Sequence, residues 1–305
     1  MHSIYKVFVY MKNPNKLINY FGSRGWMKFI PDRIYLKIIY RARMGSKLKL
    51  SNPITFNEKI QWLKIYNKNP VYTQLVDKYE VRKHIEETIG KEYLIPLLGV
   101  YDSVDEIDFD ALPNQFVLKC THDSGSLVLC KNKKELDIPA IKRKLNNSLK
   151  RNYYYTGRER PYKNVKPRLV CEKYMEDESE TELKDYKFMC FDGKVKCSFV
   201  CTDRRSNDGL KVTFFDLNWK EMPFTRHYPK SQRAITKPLE YNRMIALSEI
   251  LSKGIPFVRL DFYEIDGKIY FGEFTFSPGS GMEEFSPANY DELLGSWITI
   301  PEVYI

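Results

Sequence analysis

The stretch RLDFYEIDGKIYFGEFTFSPGSG, from Arg259 to Gly281, constrains the fold of this chain more than any other. Apolar residues alternate on both sides of Asp266-Gly267, a dipeptide suited to the two-residue turn of a β-hairpin. Such a hairpin commits the chain to antiparallel sheet, yet it keeps Arg259, Asp261 and Glu273 where Val or Thr would be expected. Side chains alternate between the faces of a strand. Arg259, Asp261 and Tyr263 therefore share one face of the outgoing strand, and Glu273 and Thr275 share a face of the return strand. With the turn at 266–267, Asp261 falls opposite residue 272 or 273, so Asp261 and Glu273 can be cross-strand neighbours. Like charges this close repel unless a cation lies between them. Oxygen ligands from separate strands, with positions left for phosphate oxygens, are a usual way to hold Mg²⁺. The competing reading is that Asp261 pairs with Arg259 or with a remote lysine.

Helical patterns come first along the chain. RIYLKIIYRARM (33–44) reads as a helix, and 51–67 carries a helix start in which Thr55 caps and Glu58 completes a capping box. Residues 70–89 read as one further helix stopped by Gly90, and 137–151 as a basic helix. Short β-rich runs at 116–120 and 127–130 flank the turn THDSGS. A loop (153–167) follows, then strands at 168–175, 185–203 with an Asp-Gly turn at 192–193, and 211–219. Residues 241–254 form a helix before the hairpin. Helices followed by antiparallel hairpins indicate an α+β fold rather than a doubly wound parallel sheet. The expected division is a basic aromatic segment (1–50), a helical subdomain (51–113) and a main region (114–300).

Charge is distributed unevenly. The chain has 305 residues and a formal net charge of +10, and all of the excess lies in residues 1–50, where Asp32 is the one acid. A basic segment rich in Tyr, Phe, Ile and Trp26 suits an anionic membrane surface, nucleic acid or an acidic polymer. It equally suits a helical cap with its lysines in water. No apolar run is long enough to span a membrane, and the N-terminus lacks the pattern of a secretory signal. Six cysteines without a CxxC pair then read as reduced thiols of a cytoplasmic protein.

Other charged residues stand where partners are required. Lys119 ends a strand before the small-residue turn 120–126, whose backbone N–H groups suit phosphate, although a surface turn would look the same. Glu172 and Lys173 sit within one strand, and Asp185 and Lys187 alternate on the next. Half-buried charges of this kind need partners, and a polyphosphate with Mg²⁺ would supply them.

Taken in order, PITFNEKIQWLKIY, DKYEVRKHI, YLIPLLGVYD, LPNQFVLKCTHDSGS, LVCEKYM, DYKFMCFDGK and VRLDFYEIDGKIYFGEFTFSPGSG resemble the ATP-grasp superfamily. The likeness is to its TupA-like branch, associated with teichuronopeptide and capsular polysaccharide biosynthesis, and covers roughly residues 50–295. The resemblance implies an ATP-grasp fold with nucleotide held between two subdomains. It implies Lys78 and Lys119 as nucleotide-binding lysines and Ser124, Gly125 and Ser126 as the loop over the phosphates. Lys173 and Met175 would meet the adenine edge by their backbone, with Glu172 beside it. Lys187 would be a phosphate-side cation, Arg259 would steady the transferred phosphate, and Asp261, Glu273 and Thr275 would hold Mg²⁺. The departure is Thr275, since the family's metal motif is Glu-x-Asn.

The activity implied is that of a Mg-ATP-dependent carboxylate–amine ligase working through an acyl phosphate. Its substrates would be an acidic sugar, free or polymer-linked, and an amine. A sugar kinase of the same fold, a glycosyltransferase and a nucleic-acid-binding protein are the competing readings. The neutral balance of residues 51–305 speaks against nucleic acid as a partner. Arg158, Arg160 and Tyr162 are candidate acceptor contacts, and His122 is a candidate loop contact or a structural histidine. The expected location is the cytoplasm, with residues 1–50 offering a peripheral contact to the inner face of the membrane.

Overall fold

The structure is a computed structural model describing residues 14–176, 183–204, 206 and 209–302. Residues 1–13 of the basic segment lie outside the described residues. Helices α1 (Pro14–Ser23), α2 (Asp32–Met44), α3 (Phe56–Tyr66), α4 (Val71–Val76) and α5 (Val81–Thr88) precede β1 (Leu97–Tyr101), β2 (Phe116–Cys120) and β3 (Val128–Cys130). Next come α6 (Ile138–Leu149), the short α7 (Tyr154–Gly157), β4 (Leu169–Lys173), β5 (Asp185–Phe191), β6 (Lys194–Thr202), β7 (Lys211–Phe215) and β8 (Thr225–Arg226). The order closes with α8 (Tyr241–Leu251), β9 (Phe257–Ile265), β10 (Lys268–Thr275), β11 (Phe285–Ser286) and α9 (Asn289–Ser296).

Two larger antiparallel sheets carry the fold, one in the order β1-β4-β2-β3 and one in the order β10-β9-β5-β6-β7. The α+β reading therefore holds. Both Asp-Gly dipeptides form left-handed turns, with φ of 47° and 77° at Asp192 and Gly193 and 50° and 70° at Asp266 and Gly267. The capping box at Thr55 forms as expected: Thr55 Oγ1 accepts from the Glu58 amide at 3.2 Å and Glu58 returns a bond to the Thr55 amide.

The five-stranded sheet is a partition. On one face Tyr186, Phe188, Val258, Leu260 and Phe262 pack with Tyr241, Met244 and Leu247 of α8. On the other, Met189, Phe191, Phe199, Phe214 and Phe257 pack with Phe56 and Ile60 of α3 and Leu294 of α9. The four-stranded sheet has its own core, in which Phe116, Leu118, Leu169 and Cys171 meet Leu145 of α6. Tyr35, Leu36, Ile39 and Tyr40 bury one side of α2 against the body, next to Met282, and the basic segment is to this extent a helical cap. All six cysteines are free and buried.

Three local expectations need correction. The single helix expected over 70–89 is broken: Asp77 is extended, and its buried carboxylate accepts from the amides of Tyr79 at 2.8 Å and Glu80 at 3.2 Å. This side-chain bonding competes with helix continuation. The strand expected over 211–219 stops at Phe215, because Asp216 Oδ1 accepts from the amides of Asn218 and Lys220, both at 2.9 Å, and bends the chain. Finally, β1 was not expected. Pro96 and Gly99 interrupt its apolar run, and its pairing with β4 shifts register between Leu97 and Gly99. This pairing crosses the boundary expected near residue 113.

Gly295 in α9 lies against the start of α3, where a Cβ would stand 2.2 Å from the Ile54 carbonyl oxygen and 2.7 Å from the Phe56 nitrogen. Gly295→Ala is expected to destabilise the protein by about 1–3 kcal/mol through overpacking. A lowered urea midpoint with an unchanged m value is the expected readout.

Candidate functional site

The answer to the charged hairpin lies in its pairing with β5. Along β9, Phe257, Arg259, Asp261 and Tyr263 alternate with Val258, Leu260 and Phe262, which face α8. Lys187 stands directly opposite Asp261 on β5, and Glu273 stands opposite it on β10. The register slips by one residue at Gly272, so Phe271 pairs with Phe262 and Glu273 with Asp261. A Cβ at Gly272 would lie 2.9 Å from the Asp261 carbonyl oxygen, so the bulge needs glycine.

These residues form one ion network. Arg259 Nε donates to Asp261 Oδ1 at 2.6 Å, and its terminal nitrogen donates to Asp261 Oδ2 and Glu273 Oε1, both at 2.7 Å. Lys187 Nζ bonds Asp261 Oδ2 and lies 2.6 Å from Asp185, which Arg204 also meets at 2.9 Å. Thr275 Oγ1 donates to Glu273 Oε1 at 2.9 Å. The two carboxylates are thus joined through a guanidinium, as the competing reading of Asp261 required. Burial pushes the Asp261 carboxyl up against the opposing pull of Arg259 and Lys187. Burial acts on Glu273 in the same direction, but Arg259, Lys187 and Lys78 outweigh it and hold the carboxyl down to about 2. Lys187 is raised, because Asp185 and Asp261 outweigh its desolvation.

The four-stranded sheet supplies the facing wall. Lys119 of β2 pairs with Glu172 of β4 at 2.6 Å, and Arg82 of α5 lies 3.7 Å from the same carboxylate. The break at Asp77 turns Lys78 inward, where Nζ donates to the Asp123 carbonyl at 2.5 Å and its amide to that of Thr121 at 3.2 Å. Lys78 is therefore not a solvated helix lysine, and burial lowers its pKa. In the loop, Gly125 takes φ of +97°. Ser126 is buried and spends its hydroxyl inside the loop, donating to Asp123 at 2.6 Å and accepting from the Cys120 amide at 2.9 Å. His122 is structural: its Nε2 lies 3.1 Å from two carbonyl oxygens, of Ser148 and Arg151.

One cleft of about 580 Å³ gathers most of the expected residues. Lys78, Lys119, Ser124, Gly125, Ser126, Glu172, Lys187, Arg259, Asp261 and Glu273 all line it. Val81, Leu94, Ile95, Leu127 and Phe271 add apolar surface. Lys173 and Met175 are not among its lining residues, and the Lys173 amide is bonded to the Pro96 carbonyl at 2.9 Å. Thr275 lines an adjoining cavity instead. Arg158 is 2% exposed, donates to the Met27 and Ile30 carbonyls and stacks over Tyr35, so it anchors the α1–α2 connection and lines neither of these cavities. Arg160 lines neither cavity, whereas Tyr162 lines the second. Sequence reading passed over Arg82, Arg204 and Arg226. The four-residue spacing of Lys78 and Arg82 was the available signal for the first.

Residues 58–299 match the description "TupA-like ATPgrasp". The chain belongs to the TupA-like ATP-grasp family. Among solved structures, the ATP complex of a D-alanine–D-alanine ligase from Bacillus anthracis is similar at 14% identity and a TM-score of 0.37, over 66% of this chain and 55% of that one. A RimK domain ATP-grasp protein from Sphaerobacter thermophilus is similar at 11% identity and a TM-score of 0.40, over 76% of this chain and 70% of that one. The ATP-grasp ligase PsnB, in complex with Mg and ADP, is similar at 11% identity and a TM-score of 0.41, over 84% and 65%. The chain spans little more than half of the Bacillus anthracis ligase. No curated protein matches it.

The donor set of this ATP-grasp cleft bears on the metal. Glu273 fits a cation ligand: both of its protein bonds fall on Oε1, and its side chain is 41% exposed. Asp261 is 2% exposed with both oxygens on cations, so it could join a metal only by loosening its bonds to Arg259 or Lys187. Among the described residues no cluster of three His, Cys, Asp or Glu forms a self-sufficient metal site. Phosphate oxygens would have to complete the coordination, as Mg²⁺ sites on nucleotides commonly allow.

Glu273 also gives a pH dependence. Its folded pKa lies below the ordinary 4.5, so its stabilisation is full above about pH 4.5 and is lost as pH falls toward 2. Glu273→Gln in EDTA should cost about 1 kcal/mol at pH 7, allowing for solvent screening. The gap in melting temperature between the two proteins should narrow from pH 4.5 downward. A gap unchanged at pH 2.5 would contradict this assignment.

Proposed function

We propose that the protein is an ATP-dependent carboxylate–amine ligase. The observation that carries this reading is the convergence of Lys119, Lys187 and Arg259 with Glu273 on one cleft, beneath a loop of small residues. Acyl activation by phosphate needs charge balance and alignment, and little proton transfer. A carboxylate oxygen of the substrate attacks the γ-phosphorus of ATP; that O–P bond forms, the bond to ADP breaks, and an acyl phosphate results. An amine then attacks the acyl carbon, the C–O bond to phosphate breaks, phosphate departs and the nitrogen releases a proton to solvent. Lys119 and Lys187 offset the charge of the phosphoryl oxygens, and Arg259 steadies the transferred group. Lys78 pins the phosphate loop through the Asp123 carbonyl. Mg²⁺, when bound, adds charge neutralisation at the phosphates, and Glu273 with Asp261 would hold it.

The family's TupA-like character supports a place in the assembly of a cell-surface polysaccharide or of a teichuronopeptide-type polymer, with an acidic sugar as acid and an amine as second substrate. The basic segment would then hold the enzyme at an anionic membrane surface. Trp26 and Phe29 are 57% and 81% exposed amid Arg24, Lys28 and Arg33, a composition suited to anionic headgroups. No helix among the described residues is long and apolar enough to cross a membrane. The full chain should sediment with phosphatidylglycerol vesicles, and Trp26→Ala with Phe29→Ala should abolish that at physiological salt. Binding that survives both changes would sink the membrane assignment.

The central test is thermal shift with Mg-ATP on wild type, Lys119→Ala and Glu273→Ala. Ligand at a hundred times its Kd stabilises by about 2.7 kcal/mol, so wild type should shift by several degrees and both variants by far less. A wild type that ignores Mg-ATP but responds to a nucleotide sugar would replace the ligase by a transferase. Products distinguish a kinase, because a kinase needs no amine.

A further inference from the structure

A second cavity, of about 610 Å³, adjoins the nucleotide cleft and shares Ser124, Arg259, Glu273 and Glu283 with it, but not Lys119 or Glu172. It therefore opens at the end of the cleft where the transferred phosphate would lie. Part of its wall comes from outside the residues that match the family: Asn19 of α1 and Ala42 and Arg43 of α2. Tyr153, Thr156, Tyr162 and Ser277 supply hydroxyl groups, and the two tyrosine rings meet edge to face with centroids 4.9 Å apart. Its size is that of a small-molecule site.

The charged side chains around this cavity have polar partners, with one exception. Glu283 pairs with Arg226 at 2.9 Å, and Glu284 lies 3.1 Å from His227 Nδ1. Glu273 is held by Arg259 at 2.7 Å. Glu159 is buried, faces the Lys64 ammonium and accepts from Ser280. Lys64 in turn donates to the Gly157 carbonyl at 2.9 Å and to the Ser280 carbonyl at 2.6 Å, which ties the two segments of the floor together. The Arg43 side chain makes no hydrogen bond or ion pair among the described residues, yet its charge acts on Glu159 and Tyr153. A cation without a partner, in a cavity walled by hydroxyls and tyrosine rings, suits an acid that also carries hydroxyl groups. Rings offer a face for sugar C–H bonds, and hydroxyls bond sugar hydroxyls.

We propose that this second cavity takes the carboxylate substrate, that the substrate is an acidic sugar, and that Arg43 draws in and orients its carboxylate. The inference rests on the ligase reading and deepens it: the N-terminal helices complete the substrate site.

The test is calorimetric titration of the full chain, with Mg²⁺ and a non-hydrolysable ATP analogue bound, using sodium D-glucuronate and D-glucose as probes. Wild type should bind glucuronate at least tenfold more tightly than glucose. Arg43→Ala should weaken glucuronate at least tenfold and leave glucose unchanged, while Arg43→Lys recovers part of the loss. Because Arg43 is exposed and lines only the second cavity, Arg43→Ala should still bind the Mg-nucleotide, which also verifies its fold. Glucuronate binding Arg43→Ala as well as wild type would overturn the proposal. So would a nucleotide-loaded wild type indifferent to glucuronate. Failure of the wild type to bind the nucleotide at all would overturn the ligase reading and this inference together.

Discussion

The structure is organised around Arg259, whose guanidinium holds both Asp261 and Glu273 within a sheet whose two faces are otherwise packed largely by apolar side chains. Burying charges is costly unless each has a partner. The neighbouring strand therefore brings Lys187 and Asp185, and Arg204 closes the network from beyond β6. Three cations and three carboxylates balance. The cleft face of the sheet is accordingly divided. Toward α3 and α9 it is phenylalanine and methionine, and toward the four-stranded sheet it is ionic. A sheet built in this way pairs its charges within the protein, and it offers a set of charges that a polyphosphate can re-pair.

Such re-pairing is the physical content of the ATP-grasp assignment here. Arg259 and Lys187 already neutralise Asp261, so an incoming phosphate and its cation would exchange partners with them and not fill a void. Glu273, with one oxygen committed to protein donors and the side chain partly exposed, is the easier of the two carboxylates to recruit. Lys119 faces the same exchange, since Glu172 now holds it at 2.6 Å.

Much of this was legible in the sequence because the hairpin obeys simple rules. Asp-Gly turns, period-two alternation and a fixed turn position were enough to bring Asp261 and Glu273 together, and the capping box at Thr55 could be read from four residues. What could not be read depended on side chains acting on the backbone at short range. Asp77 breaks what periodicity shows as one helix, and this break aims Lys78 into the cleft. Asp216 ends β7 in the same manner. The burial of Arg158 under Tyr35 and the arrival of Arg43 at the second cavity join residues more than a hundred positions apart from their neighbours, and no local pattern announces them.

The bulge at Gly272 has a consequence for the parity of the strand. With unbroken pairing beyond Phe271 and Phe262, residue 272 would face Asp261, and Glu273 would oppose Leu260 on the side packed against α8. Phe274 would at the same time be turned out into the ionic cleft. One surplus residue thus decides whether a carboxylate meets water and cations or hydrocarbon. Drawing Gly272 into regular pairing would invert the site, exchanging the roles of the polar and apolar residues from 273 to the end of the strand, whereas deleting it would leave Glu273 opposite Asp261.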